Sequence, residues 1–256
     1  SQAVHGARGY FTTAPLSTPA DWAAYTTAAL PAVGPGLVGL GYVERVRRSD
    51  IPVLEARMRM LGVPDFRVER AGTRDWVYAV TRIEPTATNT GVLGLDVGSG
   101  NTRRLAADAA MRSGQPVLSQ RIRIIEGGRE IPGFLLFLPV YKAGLPTDTP
   151  EARESALAGW AYASLRIDAL TTGLLEAVDH QLDFALTDAE RPDTPLFVST
   201  TAAPDALARR ATLDVYGRTW TASFHLRPDP MEFGPTSLPI IVAIAGLLVS
   251  LLASGL

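Results

Sequence analysis

Cysteine is absent from the 256 residues. That excludes a disulfide framework, a cysteine-ligated zinc site and a thiol nucleophile. It assigns no compartment, because a cysteine-free chain tolerates oxidising and reducing surroundings alike. Lysine is nearly missing as well, with Lys142 alone among 24 Lys and Arg residues. Those bases face 26 Asp and Glu, for a formal charge of −2. No basic excess is left to displace counterions from a nucleic acid, so none is expected as a partner. Histidine is limited to 3 residues, His5, His180 and His225, and no G-x-S-x-G surrounds a serine. Neither an EF-hand loop nor H-E-x-x-H occurs, so no metal site and no cofactor are expected. The acid pairs Glu151/Glu154 and Asp179/Asp183 have helical spacing and read as solvated faces. What is plentiful is apolar material, 46% of the residues, enough for a core in one or two domains and too much for global disorder.

Long apolar runs are confined to the C-terminus. No charge follows Glu232, and Leu238–Leu256 reads LPIIVAIAGLLVSLLASGL. At about 1.5 Å per residue the run spans roughly 28 Å, close to a hydrocarbon core of about 30 Å. Pro239 sits at its start, where a helix tolerates proline. A transmembrane helix is therefore expected within residues 233–256, with the lipid bilayer as partner. Ser1 in place of Met, and an end within this run, give the expectation of a segment cut from a longer protein.

Upstream, STPADWAAYTTAAL reads as a helix capped by Ser17 or Thr18, with Trp22, Tyr25 and Ala29 on one face. Gly34–Val46 is a glycine-broken strand, and Ser49–Leu61 a short helix with Gly62 beyond its end. Strands are expected at Phe66–Glu69, Trp76–Ile83 and Val92–Val97. A helix over Asn101–Ser113 carries Leu105, Ala109 and Arg112 at helical spacing. Val117–Ile125 and Phe134–Tyr141 form a hairpin around Glu126-Gly127-Gly128-Arg129. Gly144–Arg153 reads as a connector. Strands and a helix then return at Leu157–Leu165, Asp168–Val178, Leu182–Leu186 and Leu196–Ser199. A last hairpin, Ala211–Val215 and Thr219–Leu226, turns at Tyr216-Gly217-Arg218. The pattern predicts an α+β chain of two consecutive antiparallel-sheet modules, each with helices on one side.

Gly34-Pro35-Gly36-Leu37-Val38-Gly39 satisfies G-x-G-x-x-G, but it follows a helix and opens a strand, the reverse of a dinucleotide loop. It reads as a strand that needs close backbone approach. Leu93–Arg103, LGLDVGSGNTR, resembles the phosphate turn of actin-like and sugar-kinase ATPases, yet a helix follows it and no second phosphate loop exists. Asp96 remains, with two readings: a cap for the following helix, or a carboxylate at the mouth of an apolar pocket. The hairpin strands, with Leu136 and Leu138 in the second, would supply the pocket walls.

The ordered set LGLDVGSGNTRRLAADAAMRSGQPVLSQRIRII, GFLLFLPVYKAGLP and EARESALAGWAYASLRIDALTTGLLE resembles a CHASE domain, the extracytoplasmic sensor module of plant cytokinin receptors and many bacterial receptors. GARGYFTTAPLSTPADWAAY and LVGLGYVERV upstream, and YGRTWTASF downstream, extend the likeness over nearly the whole chain. The resemblance implies a stalk helix ending within residues 1–61, a membrane-distal PAS-like module at 62–148 and a membrane-proximal one at 149–232. It places a ligand in the distal module, with Asp96 at the position that holds adenine in cytokinin-binding members and Leu118 at one that offers backbone contacts. Gly98-Ser99-Gly100-Asn101 departs from the plant pattern. Arg121 and Arg123 put guanidinium groups on the bordering strand, where an inward one would favour an anion over a purine.

The expectation is a non-enzymatic sensor segment, residues 1–232 outside the cytoplasm. It binds a small molecule, adenine-like or a small organic compound, and signals as a homodimer through the membrane helix. A histidine kinase is the expected output, with a diguanylate or adenylate cyclase as the alternative. A membrane-tethered hydrolase and an adhesive ectodomain are the readings from other classes.

Overall fold

In the computed structural model, residues 2–29, 36–69, 72–89, 91–169, 182–199 and 209–226 are described. The elements run α1 (Gln2–Thr13), α2 (Pro19–Ala29), β1 (Leu37–Arg47), α3 (Ile51–Met60), β2 (Trp76–Glu84) and α4 (Asn101–Ser113). They continue with β3 (Val117–Leu118), β4 (Ile122–Glu126), β5 (Arg129–Tyr141), α5 (Pro150–Ala156) and β6 (Leu157–Leu165). Last come β7 (Leu182–Asp188), β8 (Phe197–Val198), β9 (Arg209–Val215) and β10 (Arg218–Leu226). The chain divides into two compact units, Ser1–Val33 with Leu37–Leu165, and Gly34–Gly36 with Arg166–Leu256.

The first unit is built on an antiparallel sheet of order β2-β1-β6-β5-β3, with β4 also paired to β5. β5 is buried without interruption from Gly133 to Val140, as a strand covered on both faces must be. One face carries α4, whose Ala106, Ala107, Ala110 and Met111 meet Val43, Tyr78, Phe137 and Trp160. α1 packs on β1, β5 and β6, and α3 buries Ile51, Leu54 and Met58 against Val77 and Ala79 of β2. Phe11 of α1 stacks on Tyr42 at 4.5 Å between ring centroids.

Two local choices follow from the residues. α2 starts with a reciprocal cap: the Thr18 N–H donates to Asp21 Oδ2 at 2.9 Å and the Thr18 hydroxyl accepts from the Asp21 N–H at 3.2 Å, the logic of a capping box. In α4 the face nearest the sheet is alanine-rich because the rings of Trp160 and Tyr78 already fill that space. Trp160 Nε1 donates to the Ala107 carbonyl at 2.9 Å. Leu105, Ala109 and Arg112, the residues at helical spacing, form the outer face, with Leu105 69% exposed.

The module boundary also differs from expectation. Leu157–Leu165, expected to open the second module, joins β1 to β5 in the middle of the first sheet, so the first unit reaches Leu165 rather than ending near 148. β1, expected to pack ahead of the modules, is the other inner strand. Nothing local in a strand marks a partner more than a hundred residues away, and burial of both faces decides it. Phe66–Glu69 and Val92–Val97 are not strands. Val92–Val97 lies along β2 through single bonds such as Gly94 N–H to Val80 O (2.8 Å), and Glu69 N–H donates to Gly94 O (2.8 Å), which ties the first segment to the second.

The second unit holds a four-stranded antiparallel sheet of order β8-β7-β10-β9. A buried ion pair, Arg218 to Asp188 at 2.6 Å, fixes its β9–β10 turn end. The expected helix over Asp168–Val178 falls almost wholly outside the described residues, and the expected membrane span Leu238–Leu256 entirely so. Among the described residues no helix is long and apolar enough to cross a membrane.

Candidate ligand-binding site

The 117–125 run expected as one strand is broken. Leu118 pairs with Leu136 and Ile122 with Gly133, so Ser119, Gln120 and Arg121 lie opposite only Phe134 and Leu135. Ser119 bridges the break, its N–H donating to Leu135 O at 2.8 Å and its hydroxyl accepting from Leu135 N–H at 3.0 Å. A bulge of this kind bends the strand and re-aims the residues beyond it. β4 is set off by it, and the hairpin then closes at Gly127-Gly128, both at positive φ, the geometry a two-residue turn of this hand demands.

Between β4, the N-terminal part of α4, Asn89 and the 91–97 loop lies a cleft of about 190 Å³. Its apolar walls are Val92, Leu95 and Val97 from the loop, Ile122, Ile124 and Ile125 from β4, and Ile83 and Leu135 from the sheet. Its floor is Tyr162 and Ser164 of β6. Their cross-strand partners are Gly41 and Gly39; a Cβ on Gly41 would run into the Arg82 carbonyl and stand 2.8 Å from Tyr162 Cε1. A Cβ on Gly39 would stand 3.0 Å from Ile83 Cδ1 and Ser164 Oγ and 3.2 Å from Asn89 Nδ2. The close approach that Gly34–Gly39 suggested is therefore real at Gly39, against Ile83, Asn89 and Ser164, which line the cleft.

The polar groups are few. Asn89 is buried and ties the loop to β1, its Nδ2 donating to Val38 O at 3.2 Å and Pro85 O at 2.8 Å. Ser164 reaches only Gly39 O, at 3.4 Å. Tyr162 is 2% exposed, and its hydroxyl has no hydrogen-bond partner among the described residues. Burial pushes its phenol well above the usual tyrosine range. Arg103, Arg123 and Glu130 stand at the mouth. Arg123 pairs with Glu130 at 3.0 Å. Arg103 donates one N–H to the Arg123 carbonyl at 2.9 Å. Burial draws its guanidinium below the ordinary arginine range, against the pull of Glu69 and Glu130.

Of the residues singled out from sequence, Arg123 lines this cleft and the others do not. Arg121 is exposed on the bulge. Leu118 and Leu136 are a cross-strand pair, and with Leu138 they alternate to the face opposite Leu135 and Phe137, on the side of α1. They are core residues of that face. Asp96 is 3% exposed, and its Oδ1 accepts from the N–H groups of Tyr78 and Gly98, each at 2.9 Å. It pins the loop to β2. It does not cap α4, whose N-cap is Gly100 without a side-chain bond. Tyr162, Ser164 and Arg103 were not singled out from sequence. The glycine motif ending at Gly39 is the one signal that pointed to their neighbourhood. Among the described residues no group of three or more His, Asp or Glu could hold a metal ion.

The CHASE domain profile matches residues 17–198, a span that includes every element of the cleft. No curated protein matches the sequence. Among solved structures the chain is similar to the ligand-binding domain of the Pseudomonas aeruginosa PAO1 amino acid chemoreceptor PctC in complex with GABA. That likeness has 13% identity and a TM-score of 0.36, over 77% of this chain and 76% of that one, too distant to bear on ligand or mechanism. The profile match covers well over half of the sequence, and the chain belongs to the CHASE domain family of extracytoplasmic sensor domains.

Proposed function

We propose that the cleft above Tyr162 is the ligand site of this sensor domain and that its occupancy is the signal. The observation that carries the reading is the Tyr162 hydroxyl, a buried donor and acceptor without a partner among the described residues, on the floor of an apolar cavity. A buried polar group left unpaired costs about 1–3 kcal/mol, and an apolar pocket with few polar anchors is the usual form of a small-molecule site. A ligand bridging the 91–97 loop and the β4–β5 hairpin favours the arrangement in which they close on it. It biases the output only by its difference in affinity for the two arrangements.

The two antiparallel sheets support reading the units as PAS-like modules, the first membrane-distal and the second proximal. The apolar sequence of Leu238–Leu256 supports a membrane anchor through which a homodimer reports to a histidine kinase or, in the second reading, a nucleotide cyclase. Asp96 acts in this scheme as the clasp of the ligand loop.

Calorimetric titration of the whole chain in detergent micelles, against purines, amino acids and organic acids, tests the site. At least one class is expected to bind the parent, and Leu95→Trp, which fills the cleft from the loop, is expected to abolish it. A Leu95→Trp chain that folds and binds like the parent would refute the assignment.

A further inference from the structure

The polar groups around the cleft carry a statement about the ligand's charge, which rests on the site assignment just made. Arg103, Arg123 and Glu130 are the ionisable side chains at its mouth apart from the floor phenol, two positive and one negative. Arg123 and Glu130 are committed to each other at 3.0 Å. Arg103 has no carboxylate within ion-pair distance among the described residues, and it spends a single N–H on the Arg123 carbonyl. Glu69 and Glu130 act on it only at longer range. A guanidinium presents five donors in a planar fork that matches a carboxylate in two parallel bonds. Half-buried and short of acceptors, it is the strongest unmet demand in the cleft.

Tyr162 lines the same cleft, as do the apolar side chains Ile83, Val92, Leu95 and Ile124. A cation is disfavoured by the excess of arginine. A neutral purine leaves the Arg103 fork without an anionic partner. A phosphate ester brings a second negative charge, and the lining holds one guanidinium without a carboxylate partner among the described residues. The volume of about 190 Å³ lies below the roughly 300 Å³ at which drug-sized sites begin, which favours a compact molecule.

We propose that the ligand is a small organic carboxylate with an apolar body, its carboxylate held by Arg103 and a second polar group, a hydroxyl or carbonyl, meeting the Tyr162 hydroxyl. Arg103 thereby sets the preferred charge and Tyr162 the preference for a second polar group.

The test is isothermal titration of the whole chain in micelles with matched probes: 4-hydroxybenzoate, 4-hydroxybutyrate, their primary amides, benzoate, phenyl phosphate and adenine. The hydroxy acids are expected to bind at least about tenfold more tightly than their amides, the scale of one charge-assisted hydrogen-bond pair. Arg103→Gln should erase that preference by weakening the acids and sparing the amides, and Arg103→Lys should restore part of it. Tyr162→Phe should weaken the hydroxy acids several-fold and leave benzoate unchanged, a split that general loosening would not produce. Circular dichroism of each variant reports its folding. If amides or adenine bind as tightly as the acids, with Leu95→Trp still abolishing binding, the carboxylate inference fails and the site stands. Tighter binding of phenyl phosphate than of the acids likewise defeats the carboxylate inference and leaves the site. If no probe binds, or binding survives Leu95→Trp in a folded chain, both fail.

Discussion

Replacing Asp96 by alanine removes one buried carboxylate oxygen that accepts the N–H groups of Tyr78 and Gly98, each at 2.9 Å. Both donors belong to the junction between β2 and the 92–97 loop, so both lose their acceptor without access to bulk water. At about 1–3 kcal/mol for each stranded buried donor, Asp96→Ala should destabilise the first unit by about 2–6 kcal/mol. Asp96→Asn keeps an oxygen in the same place and loses only the charge assistance, so its cost should be about 1 kcal/mol. Urea unfolding followed by tryptophan fluorescence reads the difference, since the ring of buried Trp160 lies 4.5 Å from the Tyr78 ring, and a shifted midpoint at constant slope reports stability. Amide exchange at Tyr78 and Gly98 should quicken in the alanine variant. Affinity of folded Asp96→Asn for a cleft ligand should stay close to the parent's. An alanine variant within about 0.5 kcal/mol of the parent would refute the clasp. So would an asparagine variant that keeps its stability and loses its ligand, because Asp96 would then be touching the ligand itself.

Gly94→Ala should cost at least about 2 kcal/mol, since Gly94 has φ +83° and a Cβ there would run into the Arg67 carbonyl; thermal unfolding measures it. Gly39→Ala narrows the cavity floor, and titration should show binding weakened several-fold, with a stability loss of about 1–3 kcal/mol from overpacking. In the second unit, Arg218→Ala strands a buried Asp188 carboxylate and should cost about 3–5 kcal/mol, read from exchange of the β10 amides. The Thr18 hydroxyl and N–H hold the Asp21 carboxyl below its ordinary 3.8, so the cap's contribution is complete at neutral pH and fades as pH falls through that lowered value. Carboxyl carbon NMR of Thr18→Ala should show Asp21 titrating closer to 3.8.

The parts of the fold legible in the sequence are those with local causes. α4 keeps its expected bounds of Asn101 and Ser113, because Gly100 and Gly114 flank a run of good helix formers. Which of its faces is buried was not legible, because the choice of alanine over leucine depends on rings brought by β2 and β6 from elsewhere in the chain. The Gly127-Gly128 turn was legible for the positive φ it needs. The bulge at Ser119 was not, since its cause is the register of β5 on the other side of that turn. The place of β6 between β1 and β5 is likewise a long-range choice. At the site, the arginine-bearing strand pointed to Arg123, and the glycine motif ending at Gly39 pointed to close backbone approach there. Tyr162 could not be singled out within LAGWAYASL, where several large side chains alternate and only the assembled sheet leaves one hydroxyl unpaired.

Hydrogen exchange of the whole chain, with and without the tightest-binding probe of the titration panel, tests the ligand site most directly. The account predicts slowed exchange at residues 92–97, at the start of α4 and along β4, with α3 on the opposite face of the sheet unchanged. Protection centred on α3, or none in the 92–97 loop despite saturation, would contradict it.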